Sequence, residues 1–590
     1  MGDTQLLSES DVVGKWVDRN SISSAVSAVV EGRQPPTMMS DASKSPARWP
    51  VLAALAMLIV VGLYVRVWDL WNFYWSPDEA LVLLISSAPT IPAVLDAAAA
   101  HPHPPMRYLV LRFMMYASQN MVFLKGIAYL PGVALIPLFF LIGRRTAGAA
   151  SGIAMASIAA FSYAGILLSE VLRTYMLGAF FVSGGLYAFF TYLQVHRGRY
   201  IALYSAAMTL GLLSHYFTIL PVVAVCLVWL FRVVRSVRPL SEAIRAALAH
   251  LPVAVVALSS FVLHLSNRYS EAHWNSITGG WLAPHFPETL VGFLMNAFRL
   301  FAYFYLLPNA WWMMVLAGVG VAVLWGTKRR EVAAVIVLTF TINIALTIAH
   351  QYPFGGTRQC FYLLPLVSVA VGATVQFGWN RALIYFDRLA GPGVLQWVST
   401  HQKTISYVAL GCFVAILSLV SYGINGSENL RRYDRNGWVE LPVKREDVTR
   451  ALRYVHENRD AADVVLAARQ SIVYVRLAAR KDAMPVFSAA PDLSFNDIGP
   501  IVPGKFWSFH SEEVLWRAFK DLVQHSRIRE DTTIWVVSIG WQPIKRVLGR
   551  GICGPPMVSA WNHGGAGVYG FRGSAVAQRI ERRLGNEIPE

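Results

Sequence analysis

Charge is what this sequence has least of. Only 15% of its 590 residues are Asp, Glu, Lys or Arg, where a soluble protein carries roughly a quarter, so a soluble globular architecture is excluded for most of the chain. Cysteine is also scarce. Cys226, Cys360, Cys412 and Cys553 include no CxxC pair, which excludes a disulfide framework and a cysteine zinc site. The first 48 residues are polar and Ser-rich and lack the apolar core of a signal peptide; they read as a flexible cytoplasmic tail. No internal repeat and no Gly-rich phosphate loop is visible. The net charge of +16 could suggest nucleic acid, but the cations sit in short clusters between apolar runs, where they set topology rather than form a binding stripe. No nucleic-acid partner is expected.

What is abundant is apolar. Hydrophobic residues make up 55% of the chain and mean hydropathy is +0.44, so the spacing predicts an α-helical polytopic membrane protein. Runs long enough to span, roughly 17–25 residues each, lie at 50–65, 122–142, 148–168, 175–194, 199–214, 216–232, 246–266, 310–327, 331–350, 360–379 and 403–424. Two further runs, 106–118 and 287–307, contain Arg107 and Arg112, and Asn296 and Arg299. Leaving both out gives about 11 transmembrane helices and places seventeen Lys or Arg inside against eight outside, with Arg144–Arg145, Arg232–Arg235 and Lys328–Arg330 all on the inner side. Counting one of the two runs as a span inverts every cluster between them. Both are therefore expected to be juxtamembrane helices on the outer surface.

The odd span count sends the mixed, soluble-looking tail outside. The expected organisation is a tail at 1–48, a transmembrane domain at 49–426 with a first outer loop at 66–121, and a soluble extracytoplasmic α/β domain at 427–590. In the last, Glu446–Arg459 and Gln470–Arg480 read as helices and Asp463–Ala467 and Thr532–Ile539 as strands. The Gly- and aromatic-rich end gives no assignment.

Few charges lie on the outer side, and their placement is specific. Ser76-Pro77-Asp78-Glu79 starts a short apolar helix behind a belt of Trp68, Trp71, Phe73, Tyr74 and Trp75. Ser76 suits an N-cap and Glu79 the return bond of a capping box, which leaves Asp78 as the uncommitted carboxylate. Read alone, the acidic pair serves equally as complement to a helix N-terminus or as part of a site. His101 and His103 precede a double proline, Glu170 and Arg173 flank a tight turn, His215 and Tyr216 join two spans, and Arg358 opens a late one. Ionisable groups at a membrane edge are costly without a partner or a task. Arginines grip phosphate through a planar fork, a carboxylate can deprotonate an attacking hydroxyl, and acids with imidazoles can hold a divalent metal.

In that order, S-P-D-E-A, H-P-P, S-E-x-x-R-x-Y, S-H-Y and R-x-x-x-Y-x-x-P resemble the polyprenyl-phosphate-dependent glycosyltransferases of the GT-C superfamily, in the protein-mannosyltransferase-like group that includes the lipid A aminoarabinose and rhizobial galacturonosyl transferases. The resemblance spans roughly 50–380. It implies an integral enzyme of the inner (plasma) membrane, its site facing the periplasm or exterior, moving one sugar with inversion from a polyprenyl-phosphate carrier to a lipid, glycan or protein hydroxyl. Asp78 then matches the general base and Glu79 its neighbour. His103, Arg173, Tyr175, His215 and Arg358 fall at substrate-binding positions, with Arg358 near the donor phosphate. A divalent metal, with Glu79 and His103 as candidate ligands, stays open. This chain departs from the pattern in reading H-P-H-P-P and in having Gln359 where relatives commonly have Tyr. A transporter or flippase of a lipid-linked substrate is the alternative; such folds show inverted repeats and helices broken at mid-membrane.

Overall fold

A computed structural model describes residues 48–389 apart from 69, 71–76, 100–102, 119, 266–281 and 306, then most of 450–458 and the stretches 464–467, 533–539, 558–563, 566–572 and 574–578. The expected span at 403–424, the helix at 470–480, His101 and Ser76 lie outside the described residues.

The membrane-spanning part is a helix bundle. It contains α1 (Arg48–Val67), α5 (Met121–Thr146), the pair α6 (Ala149–Phe161) and α7 (Tyr163–Glu170), α8 (Tyr175–Val195), α9 (Gly198–Ser214), α10 (Ile219–Arg235), α11 (Pro239–Ser260), α13 (Leu307–Gly326), α14 (Arg330–Ile348) and α15 (Leu364–Leu389). Three short helices stand between α1 and α5: α2 (Pro77–Ser86), α3 (Ile91–Ala99) and α4 (Met106–Ala117), and α12 (Leu290–Tyr305) precedes α13. Ten of the eleven expected spans thus coincide with helices. Among the described residues, seven helices are long and apolar enough to cross a membrane, or eight if α6 and α7 count as one span. The apolar part of α1, Val51–Val67, and the 17-residue α9 fall slightly short. At ~1.5 Å per residue they still reach about 26 Å, close to the hydrocarbon thickness. The two ambiguous runs are helices of 12 and 16 residues.

One span departs from expectation. The run 148–168 is broken at Ser162 and bent by 46°. Ser162 ends α6, and its hydroxyl accepts from Gly165 N (3.3 Å) as N-cap of α7 while donating to Phe304 O (3.0 Å). A break orphans carbonyls, and α6 is buried from Ala150 to Ala160, so they need partners within the protein. Arg66 takes two of them, Ala159 O and Ala160 O.

The C-terminal part holds a four-stranded mixed sheet, order β1-β2-β4-β3, of β1 (Val464–Ala467), β2 (Thr533–Ile539), β3 (Val558–His563) and β4 (Ala566–Arg572). β1 runs parallel to β2, and β4 is antiparallel to both its neighbours. β1 and β2 fall where sequence alternation places strands. The β3–β4 pair was not read from the sequence, although Gly564-Gly565 between two Val- and aromatic-containing runs is a hairpin signal. A second apolar cluster joins Val82 and Leu83 of α2, Val94 of α3 and Leu111 of α4 with Ala451, Val455, Trp535 and Val568. The α/β part therefore sits on the short-helix end of the bundle.

Candidate active site

The site is assembled at that end from five chain segments. α2 supplies the acidic pair. Asp78 is its second residue, and the described residues do not include its side chain. Glu79 turns inward, 1% exposed, and its Oε1 accepts from Leu172 N at 2.5 Å and lies 3.9 Å from Lys125 Nζ, itself 1% exposed. This oxygen reaches across 93 residues to the turn after the broken span. A hydrogen-bonded carboxylate facing an ammonium is the arrangement burial demands. Arg112 fixes the far end of α2, donating through Nη1 to Ser86 O (3.2 Å) and Ala88 O and through Nη2 to Pro89 O (2.9 Å).

The turn Val171–Thr174 carries Arg173, 5% exposed, and leads into Tyr175 at the start of α8. The corner after α9 carries His215. Its ring packs at 4.7 Å from the Tyr175 ring, 5.8 Å from His103 and 4.2 Å, stacked, from Phe217, which stacks in turn on Tyr362 at 5.3 Å. Arg358 opens the short helix Arg358–Leu363, its guanidinium 6.0 Å from the Tyr175 ring centroid. Its loop is clasped by Asn296, whose Nδ2 donates to Pro284 O and Phe354 O (both 3.0 Å) while Oδ1 accepts from Arg299 (3.1 Å). Gly355, at φ +134°, passes under this clasp, where a Cβ would come within 3.3 Å of Asn296 and of His285 Nδ1. That is why polar Asn296 and Arg299 interrupt the apolar run of α12.

His103, Tyr175, His215 and Arg358 are thus in one contact chain, with Arg173 next to Tyr175 and Glu79 bonded to the same turn. Sequence reasoning did not single out Arg107. It is 5% exposed, stacks on the Tyr108 ring at 4.4 Å and donates to its hydroxyl, and its buried Nε has no hydrogen-bond partner. The available signal was a cation inside an apolar run.

The charges acting on His215 are positive. Burial lowers the His215 pKa to about 3, aided by the positive charges of Arg107, Arg173 and Arg358. The ring is therefore neutral. Its Nδ1 accepts from Phe217 N (3.3 Å), which assigns the proton to Nε2. That Nε2 is buried and has no partner, so a donor waits among three guanidinium groups. An anionic oxygen suits this place. Among the described residues no three His, Cys, Asp or Glu side chains gather to hold a metal, and the candidates Glu79 and His103 face Lys125 and His215 respectively.

The depressed pKa has a consequence for stability. An unfolded histidine titrates near 6.5, so on acidification the unfolded chain takes up this proton first. The contribution of His215 is full above about pH 6.5 and is lost progressively toward about pH 3. The thermal midpoint in detergent is expected to fall between about pH 7 and about pH 4, and His215→Gln to flatten that slope. An unchanged slope in the variant would contradict the buried, neutral assignment.

No protein-family model and no curated protein matches the chain. Solved structures do. ArnT from Cupriavidus metallidurans bound to undecaprenyl phosphate superposes with a TM-score of 0.51 at 13% identity, covering 90% of this chain and 99% of that one. Its apo state gives 0.49 at 12% identity, over 91% and 99%. The archaeal oligosaccharyltransferase AglB from Archaeoglobus fulgidus, in complex with an inhibitory peptide and a dolichol-phosphate, gives 0.45 at 12% identity, over 83% and 69%. At such identities likeness means architecture: this chain, with seven or eight stretches among its described residues long and apolar enough to cross a membrane, shares the fold of the undecaprenyl-phosphate-bound ArnT structure.

Proposed function

We propose that this protein is an integral membrane glycosyltransferase that moves a sugar from a polyprenyl-phosphate carrier to a hydroxyl of an extracytoplasmic lipid, glycan or protein, with inversion. The observation that carries the reading is the cluster of Arg107, Arg173 and Arg358 around the neutral, buried His215. Three cations and one N–H donor suit a phosphate held at the membrane edge. The ArnT structure of the same fold holds undecaprenyl phosphate, which supports a lipid phosphate as the anion.

In the proposed reaction the acceptor O–H loses its proton to Asp78 as the oxygen attacks the anomeric carbon. The bond from that carbon to the phosphate oxygen breaks on the opposite face, which inverts the centre. The leaving phosphate gains negative charge as the bond breaks, and preformed cations aimed at developing charge act more strongly on the transition state than on the bound donor. Arg173, Arg358 and Arg107 are assigned that task, with His215 Nε2–H as a neutral donor. Tyr175 and His103, packed on the His215 ring, are assigned to positioning the donor. In this reading the site faces the periplasm or exterior, and the C-terminal domain, whose Ala451, Val455, Trp535 and Val568 cluster with residues of α2–α4, helps select the acceptor.

Titration of the detergent-solubilised protein with undecaprenyl phosphate tests the assignment. Arg358→Ala is expected to weaken binding by roughly an order of magnitude or more, as for loss of a charge-assisted hydrogen bond. Arg358→Lys should restore only part of it, because a point charge lacks the fork. Unchanged affinity in Arg358→Ala would remove that residue from the site.

A further inference from the structure

The broken span is held by a residue that the proposed phosphate site does not use. Arg66, in the last turn of α1, is 1% exposed and engages all three guanidinium nitrogens. Nη1 donates to Gly62 O of its own helix and to Ala160 O (both 2.8 Å), Nη2 to Ala159 O (2.6 Å), and Nε to Ser169 Oγ (3.1 Å). Ser169 in turn donates to Gly165 O at 2.6 Å. One planar fork thus satisfies the carbonyls just before the break and, through Ser169, grips the short helix just after it. Glycine makes the room. A Cβ on Gly132 would lie 2.3 Å from Ser169 Oγ and 3.2 Å from Arg66 Nε. Lysine, with its donors on a single atom, cannot span acceptors on both sides of a bend.

The chain on either side of this brace leads into the site. From Arg66 it continues through Val67 and the first loop to Asp78 and Glu79. From Ser169 it takes two residues to reach Val171–Thr174, where Leu172 N meets Glu79 and Arg173 follows. Arg66 is therefore tied directly to one segment that enters the site and, across the helix break, to another.

We propose that Arg66 is a positioning residue for the transfer reaction: by pinning the bend between α6 and α7 to the end of α1, it sets where the Arg173 turn stands relative to the acidic start of α2. The proposal rests on the reading of Arg173 as a phosphate ligand. An arginine buried only to repair a kink would be needed for folding but not for the geometry of that turn.

Two readouts on the full-length protein in detergent separate these roles. Hydrogen exchange of the Leu172–Tyr175 amides reports the turn without any ligand. Affinity for undecaprenyl phosphate, in a double-mutant cycle with Arg173→Ala, reports whether Arg66 acts through Arg173. Arg66→Lys, which keeps the charge, is expected to speed exchange of those amides by about tenfold or more and to weaken binding by about tenfold. Added to Arg173→Ala, it should change affinity by less than about twofold. Arg66→Gln should exceed Arg66→Lys in both single-variant effects. Unaltered exchange in Arg66→Lys and Arg66→Gln, or additive losses in the cycle, would overturn the proposal. If the wild-type protein does not bind undecaprenyl phosphate at all, the polyprenyl-phosphate reading is what fails, and the exchange measurement still decides whether Arg66 holds the turn.

Discussion

Asp78→Asn is expected to lower sugar transfer by 10²–10⁴-fold, the usual contribution of a positioned general base, while leaving affinity for undecaprenyl phosphate and the thermal midpoint close to wild type. The substitution is nearly isosteric and removes only the proton acceptor. A neutral hydroxyl attacks an anomeric carbon poorly, so the loss falls on the chemical step and not on donor binding. Asp78 is the preferred base because its neighbour is committed elsewhere: Glu79 Oε1 is bonded to Leu172 N and faces Lys125 in the interior. Near-normal turnover in Asp78→Asn, alongside a dead but stable Glu79→Gln, would reverse the two roles.

Glu79→Gln should instead unfold the site. Removing one charge from a buried, hydrogen-bonded pair costs on the order of 3–5 kcal/mol, far more than the ~1 kcal/mol of a weakened helix cap. The variant keeps a side-chain oxygen for Leu172 N but leaves Lys125 facing no carboxylate at that position. A marked fall in thermal midpoint is expected for Glu79→Gln. Adding Lys125→Met should recover much of it, since replacing both members of a buried pair by neutral groups is often close to neutral. A Glu79→Gln protein as stable as wild type would mean that the 3.9 Å pair contributes nothing.

These two residues also show how far the sequence could be read. Periodicity and charge asymmetry located the helices because lipid imposes length and apolarity on every span, and β1 and β2 were legible from alternation. The members of the site were recognisable as costly charges at span ends. What one-dimensional spacing could not give was partnership. Ser-x-x-Glu fits a capping box, but that spacing says nothing of the bond that Glu79 Oε1 accepts from a turn 93 residues away. Arg66, a single cation at the end of the first apolar run, is the brace of a bend at Ser162, a break that a continuous apolar run does not announce. Arg107 was hidden in an apolar run too short to span, and Asn296 looked anomalous until the loop it clasps was in view. Each of these depends on a contact made across the fold.

The rival of a lipid-linked-substrate transporter gains one feature from the structure, a broken helix. The break is closed by Arg66 donors and a Ser162–Phe304 bond. The charged cluster gathers beyond the end of that helix, at the turn with Arg173. A sealed bend beside the proposed anion site suits chemistry at one face better than passage between two.

Incubation of the purified protein in detergent with the polyprenyl-phosphate-sugar pool extracted from its source membranes, together with their glycolipids, tests the central claim most directly, because no compartment remains to transport across. Mass spectrometry is predicted to show one polyprenyl-phosphate sugar consumed, free polyprenyl phosphate released in equal amount and an acceptor gaining that sugar, none of it with Asp78→Asn. A lipid pool left unchanged by a wild-type protein that still binds undecaprenyl phosphate would contradict the account.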